Sequence, residues 1–186
     1  MDRNYAVDRL VAELPAAEYC ARFVDIPRMH SYCRQCPNFG AVWSCPPYDF
    51  DLEQLWQRFR RLRLLGLKLI FSPELRARTY AADQLDRLLH DALYREREQL
   101  ESELFALEVA NPGSLALLPG SCRRCGEGSC TRPRPCRHPQ QVRYSLEAIG
   151  GDVSRTAEEL LATPLLWPDA GRLPEYLTLM AALLLP

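Results

Sequence analysis

Hydrophobic residues recur at helical spacing in several parts of this 186-residue chain. The longest stripe predicts a helix from Thr79 to Val109 that ends at Asn111-Pro112-Gly113. A shorter stripe of Val7, Leu10, Val11 and Leu14 predicts a first helix over residues 3–14. Asp25 with Pro27 predicts the start of a short helix, and Asp51 predicts the cap of another whose apolar stripe runs from Leu52 to Leu62. Two more short helices are predicted, over Tyr144–Ile149, ending at Gly150-Gly151, and over Asp152–Leu161.

Other segments have the alternation or the short apolar runs of strands. Tyr19, Ala21 and Phe23 alternate within Glu18–Asp25, which predicts a strand with Cys20 on its opposite face. Three apolar runs predict further strands at Leu67–Phe71, Ser114–Leu118 and Glu175–Leu185, although the last fits a helix equally well. Strands separated by helices predict an α+β or α/β fold with a small central sheet, in a single domain over residues 1–186.

Composition narrows the class of protein. The chain is 47% hydrophobic and 25% charged, and its formal net charge is -1, so no basic field indicates a nucleic-acid partner. No apolar stretch reaches the roughly 18 residues that a membrane span needs. The first 19 residues carry acids through their apolar part, which is a poor match to a signal peptide. We therefore expect a cytoplasmic protein with no membrane partner, whose thiols are reduced or bound to metal.

Eight cysteines, in two groups, carry the clearest chemical signal. The second cysteine loop, residues 120–139, holds Cys122-x2-Cys125-x4-Cys130-x5-Cys136, with Gly126 and Gly128 relaxing the backbone between them. One compact run that closes on Cys-x-x-Pro favours a 4Fe–4S cluster, with zinc as the alternative and His138 as a substitute ligand. Five arginines surround these thiols and are expected to lower their pKa values: Arg123, Arg124, Arg132, Arg134 and Arg137.

The first cysteine loop, residues 30–50, holds Cys33-x2-Cys36-x8-Cys45. Cys20 on the preceding predicted strand is the candidate fourth ligand, and His30 is the alternative. If Cys20 is buried elsewhere, three protein ligands leave one coordination position open to a substrate. Four aromatic residues are expected to wall this site from water: Phe39, Trp43, Tyr48 and Phe50.

Two segments resemble a prokaryotic, uncharacterised domain-of-unknown-function family of predicted metal-binding proteins. They are CPNFGAVWSCPPYDFD (36–51) and SCRRCGEGSCTRPRPCRHPQQVRYSLEAIGGDV (121–153), and together they span most of residues 30–155. Phe39 stands where tyrosine is more usual. The resemblance implies metal binding at seven cysteines: Cys33, Cys36, Cys45, Cys122, Cys125, Cys130 and Cys136. It leaves open the role of Cys20, the metal and the reaction.

Three functions follow from these patterns. The leading hypothesis is an iron–sulfur protein with one or two 4Fe–4S clusters that transfers electrons or supports a partner enzyme in redox chemistry. The second is an enzyme that binds substrate at an open iron site in the first cysteine loop. The third is an interaction protein whose loops are held by structural zinc. The two loops could also converge on a single centre. No residue is assigned a catalytic role, since the chain has no HExxH, GxSxG or glycine-rich phosphate motif.

Overall fold

The computed structural model describes residues 4–126 and 128–186. Within these ranges one sheet has the strand order β1-β2-β4-β3, and every neighbouring pair is antiparallel. The strands are β1 (Tyr5–Pro15), β2 (Arg61–Phe71), β3 (Leu115–Leu117) and β4 (Tyr176–Leu185). The α+β prediction is therefore confirmed, and the parallel sheet of the α/β alternative is not what forms.

Helices cover both faces of the sheet. They are α1 (Ala16–Phe23), α2 (Ile26–Cys33), α3 (Leu52–Gln57), α4 (Pro73–Arg76), α5 (Ala82–Ala110) and α6 (Val153–Leu161), with 3-10 turns at Pro139–Gln141 and Glu147–Ile149. The predictions of α5, α6 and the final strand β4 are confirmed. Among the described residues, no helix is both long enough and apolar enough to cross a membrane.

The core lies on either side of β2 and β4. Leu62 and Leu64 of β2 pack with α1, α3 and α6, whereas Leu65, Leu67 and Leu69 face the long helix α5. Because helices cover both faces, these two central strands read as nearly continuous apolar runs rather than as alternating ones. β1 lies at one edge of the sheet and β3 at the other.

The two predictions for the N-terminal region are wrong. Residues 5–15 form the edge strand β1, which pairs along its whole length with β2, and residues 16–23 form a helix. The buried residues of α1 are Ala16, Tyr19 and Phe23, three and four positions apart. The Tyr19 hydroxyl also bonds to the Thr156 hydroxyl of α6 at 2.9 Å, so packing against α6 stabilises the helical arrangement.

Two smaller predictions need correction. β2 begins at Arg61, so Leu62 belongs to a strand six residues longer than the one predicted and not to the preceding helix. The helix predicted over Tyr144–Ile149 is reduced to the 3-10 turn at Glu147–Ile149. In both cases the error concerns the boundary of an element, which local patterns fix poorly.

The turn at residues 145–152 supports the start of α2. The Asp25 amide donates to the Gly150 carbonyl at 2.8 Å, and the Asp152 amide donates to the Phe23 carbonyl at 2.8 Å. Gly150 has a φ of 96°, and a Cβ there would lie 2.5 Å from Cγ1 of Ile26. Glycine is therefore required where α2 rests on this turn, and the position of α2 fixes that of Cys33 at its end.

Gly66 of β2 generates a test of this packing. A Cβ at Gly66 would lie 2.9 Å from Cδ1 of Leu161 in α6, so we expect Gly66→Val to reduce the free energy of unfolding by about 1–3 kcal/mol through overpacking. Urea denaturation measures the difference. Ala6→Val, at an exposed position of β1, is the matched control and should change stability by much less. Equal stability of the two variants would contradict close packing of α6 on β2.

Candidate metal centre

A capped helix and a series of tight turns place the cysteines of the first loop. The Asp25 carboxylate accepts from the Arg28 amide at 3.0 Å, which caps α2 as predicted, and α2 ends at Cys33. Backbone bonds then close turns from Cys36 to Cys33 and from Cys45 to Val42, each at 3.0 Å. These turns bring Cys33 and Cys36 near enough to Cys45 for their charges to act on its thiol.

The second cysteine loop gathers its four thiols around one small cavity. Cys122, Cys125, Cys130 and Cys136 all line it, and His138 lies at its wall. Gly126 and Gly128, the two glycines between Cys125 and Cys130, have φ values of 83° and 67°, which L side chains rarely adopt. The first loop closes the cavity with two further residues, Val42 and Trp43. The four cysteines predicted to act together therefore line the same cavity, and their ligation of a metal stays a prediction.

Arg132 binds the two loops to each other. Its guanidinium donates to the carbonyls of Val42 at 3.0 Å, Cys45 at 2.7 Å and Pro47 at 2.6 Å. The same group lies 5.2 Å from the centre of the Trp43 ring. One side chain of the second loop therefore satisfies three backbone acceptors of the first.

Ser44 joins the two groups of cysteines. Its side chain is 1% exposed, its hydroxyl accepts from the Cys122 amide at 2.8 Å, and the same oxygen lies 3.9 Å from the sulfur of Cys45. Trp43 adds a bond from its indole nitrogen to the Arg134 carbonyl at 3.0 Å. The two cysteine groups are consequently neighbours on one surface, although about 80 residues of sequence separate Ser44 from Cys122.

The pKa of Cys122 is raised, whereas the arginines led us to expect lowered pKa values in the second cysteine loop. Burial raises the pKa of Cys45 to about 11, and the neighbouring thiols act in the same direction, against a smaller lowering by Arg132. Burial also raises the pKa values of Cys33 and Cys122. At these three thiols desolvation is the largest cause of the shift in pKa.

The donor chemistry of the second loop fits a metal centre. Four thiols around one cavity, next to apolar and aromatic residues, are the ligand set of zinc and of iron–sulfur centres. Among residues 4–126 and 128–186, no three His, Cys, Asp or Glu side chains lie close enough together to hold a metal ion. The thiols share the cavity without forming the tight cage of a single-ion site.

Comparison with known proteins agrees with this interpretation. Residues 22–185 match the model of the family described as predicted metal-binding protein (DUF2284). The chain belongs to the DUF2284 family. No curated protein and no solved structure gives a match.

Cys20 of this DUF2284 protein lies apart from the other seven cysteines. It is on helix α1, not on a strand, and among the described residues it is the one cysteine that lines a groove with Ile26, Trp56 and Phe59. Burial raises its pKa to about 11. The structure therefore does not bring Cys20 to the thiols of the first loop, and its ligation stays a prediction.

The alternative ligands and the aromatic wall have defined places. Nε2 of His30 bonds to the Ala148 carbonyl at 3.0 Å, which ties α2 to the 145–152 turn. Tyr48 stacks on Phe50 with ring centres 4.9 Å apart, and its hydroxyl donates to the Ser44 carbonyl at 2.7 Å. Phe39, Trp43 and Tyr48 are partly buried, whereas Phe50 is 38% exposed, and the shielding of the first loop by these aromatic residues stays a prediction.

Sequence reasoning missed the roles of Ser44, Arg132 and Glu147. Glu147 follows Ser145 and Leu146 in the 3-10 turn, where burial raises the pKa of its carboxyl, and its charge in turn raises the pKa of Cys33. Arg132 and Ser44 lie within motifs that were singled out for their cysteines. Their contacts are long-range, so nothing in the local pattern distinguishes them.

Replacing Arg132 tests whether the packing of the two loops supports the metal centre. Arg132→Gln removes the bonds to three carbonyls, so we expect metal to be released to a chelator about 10–100 times faster than from the unchanged protein. Elemental analysis of timed samples measures the loss. Arg134→Gln, in the same loop but with an exposed side chain, should release metal at the original rate. Equal rates for both variants would contradict the role of Arg132.

The separate position of Cys20 predicts its reactivity. A pKa of about 11 rather than 9.0 leaves about 100-fold less thiolate at pH 7, so alkylation of Cys20 should be slow at pH 7 and accelerate as the pH rises towards 11. In the metal-loaded protein Cys20 should take up iodoacetamide at high pH while the other cysteines are protected. Peptide mass spectrometry measures this, and protection of Cys20 that disappears on metal removal would identify it as a ligand.

Proposed function

We propose that this protein holds an iron–sulfur cluster at Cys122, Cys125, Cys130 and Cys136 and transfers single electrons. The observation that carries the proposal is that these four thiols line one cavity which the first loop closes. A second centre would use Cys33, Cys36 and Cys45. A thiolate-bound cluster supplies one-electron redox chemistry, and the protein residues around it set its potential and its access to water.

The surroundings of the thiols support a buried centre. Val142 and Trp43 line the cavity together with the cysteines, and the His138 amide lies 3.3 Å from the sulfur of Cys136, in position to donate. Amide donors to sulfur stabilise the thiolate and raise the reduction potential of a centre that it binds. The backbone of the second loop therefore contributes to the chemistry as well as to the shape of the site.

The closeness of the two cysteine groups supports a path for electrons between two centres. Ser44 contacts both the amide of Cys122 and the sulfur of Cys45. Two centres joined through one buried residue could exchange electrons within the protein, so that one centre meets a partner while the other acts as its donor or acceptor.

A redox partner protein would meet an exposed basic surface beside the second loop. Arg134 and Arg137 are exposed there, on either side of Cys136. Exposed cations of one sign accelerate association with an acidic surface and make the rate dependent on salt. We therefore propose an acidic partner for this side of the molecule.

One observation favours a second candidate function, an enzyme with an open site in the first loop. Cys20 faces a different groove, and Cys36 is exposed. Three thiolates without a fourth protein ligand would leave a coordination position that a substrate can occupy. Structural zinc, the third candidate, differs from both in holding no sulfide.

Anaerobic purification with iron, sulfide and zinc analysis tests the proposal. About four irons and four sulfides per chain would mean one cluster, and about eight of each would mean two, with visible absorbance that bleaches on reduction. Cys130→Ser should remove one centre, whereas Cys20→Ser, the matched control, should leave the metal content unchanged. Zinc without sulfide would refute the iron proposal, and loss of a centre in Cys20→Ser would refute the open site.

A further inference from the structure

β4 has an open edge beside the second cysteine loop. β3 pairs only with Ala182–Leu184, so β4 from Tyr176 to Ala181 has β2 on one side and, in the described part of the chain, no strand on the other. The Ala116 amide donates to Glu108 and not to β4. By the alternation of an antiparallel ladder, the backbone N–H and C=O groups of Thr178 and Met180 therefore point to the open side.

A cavity of about 410 Å³ follows this open edge between the helices of the two faces. Leu93 and Tyr94 of α5 line one side, and Val153 and Ser154 at the start of α6 line the other. The volume lies in the range of small-molecule sites, roughly 300–1,000 Å³, and most of the lining is apolar.

Arg123 provides a positive charge in this cavity. Its guanidinium lies 5.3 Å from the centre of the Tyr94 ring, and no carboxylate among the described residues pairs with it. Arg97, the other arginine of the lining, is engaged by Glu101 at 2.6 Å and by the Ser121 carbonyl. Arg123 is therefore the cation that remains available to a ligand.

The open edge and one side chain add hydrogen-bond donors to the charge of Arg123: the amides of Thr178 and Met180 and the Thr178 hydroxyl. The Thr178 hydroxyl is buried and has no hydrogen-bond partner within the described residues, which disfavours an empty apolar cavity. Glu147 brings a carboxyl to the lining, and its side chain bonds to Ser145. A ligand that supplies acceptors and negative charge would satisfy Arg123, Thr178 and the open amides together.

We propose that this cavity binds a small organic anion with an apolar or aromatic body. The anionic group would pair with Arg123 and accept from the open edge of β4, while the body packs on Leu177, Leu179 and Trp167. Trp167 is 75% exposed at the cavity and offers an indole surface to such a ligand. Because Arg123 directly follows Cys122, the bound anion would lie beside the second cysteine loop.

Two fluorescent probes that differ in charge test the proposal on the metal-loaded protein. Anilinonaphthalene sulfonate carries an anionic group on an aromatic body, and phenylnaphthylamine is the neutral counterpart. We expect saturable one-to-one binding of the sulfonate. Arg123→Gln should weaken binding of the sulfonate about tenfold or more. The same substitution should change binding of the neutral probe by less than about twofold. Thr178→Val should also weaken binding of the sulfonate, by a smaller factor than Arg123→Gln.

Arg95→Gln is the matched control, because Arg95 is on α5 next to Tyr94 but lines a different cavity. It should leave both affinities unchanged. Equal affinity for the two probes, or sulfonate binding that Arg123→Gln does not weaken, would overturn the proposal. Metal and sulfide are measured on the same samples, which separates the two proposals. A protein that holds zinc without sulfide and still prefers the anionic probe would refute the iron–sulfur proposal and support the anion site.

Discussion

Thiols can converge on a centre only where the polar groups of the backbone that carries them have hydrogen-bond partners. Here the two cysteine loops supply such partners to each other. Residues 34–50 contain no helix or strand, so their carbonyls need partners outside regular structure. Arg132 supplies donors to three of them, and Trp43 and Ser44 return bonds to the second loop. Neither loop holds its cysteines alone, so the two sites share one set of supporting contacts.

The turn around residues 144–152 extends this dependence to the rest of the fold. The Leu118 amide, just after β3, donates to the Tyr144 carbonyl at 2.8 Å at the start of the second loop. Ala148 and Gly150 accept from His30 and from the Asp25 amide, which fixes the helix leading into the first loop. One short segment thus positions the starts of both loops. This segment leads directly into α6, which packs on the sheet.

The parts of this arrangement that depend on local chemistry could be predicted, and those that depend on distant contacts could not. Asp25 and Asp51 cap the helices they were expected to cap, because a cap needs only its own first turn. The N-terminal region misled the analysis because Val7, Leu10, Val11 and Leu14 have helical spacing in a strand. Which period applies there is decided by pairing with β2, more than 40 residues away.

Distant contacts also determine what the arginines of the second loop do. The sequence predicts a basic surround for an anionic centre, but three of the five arginines engage the protein itself: Arg123 on Tyr94, Arg124 on Phe105 and Arg132 on the first loop. Desolvation raises the pKa values of Cys45 and Cys122, so the protonated form of these two thiols is favoured without metal and metal binding must displace their protons. Arg134 and Arg137 remain exposed on either side of Cys136, so the proposed acidic partner would dock there, while Arg123 would serve the proposed anion site.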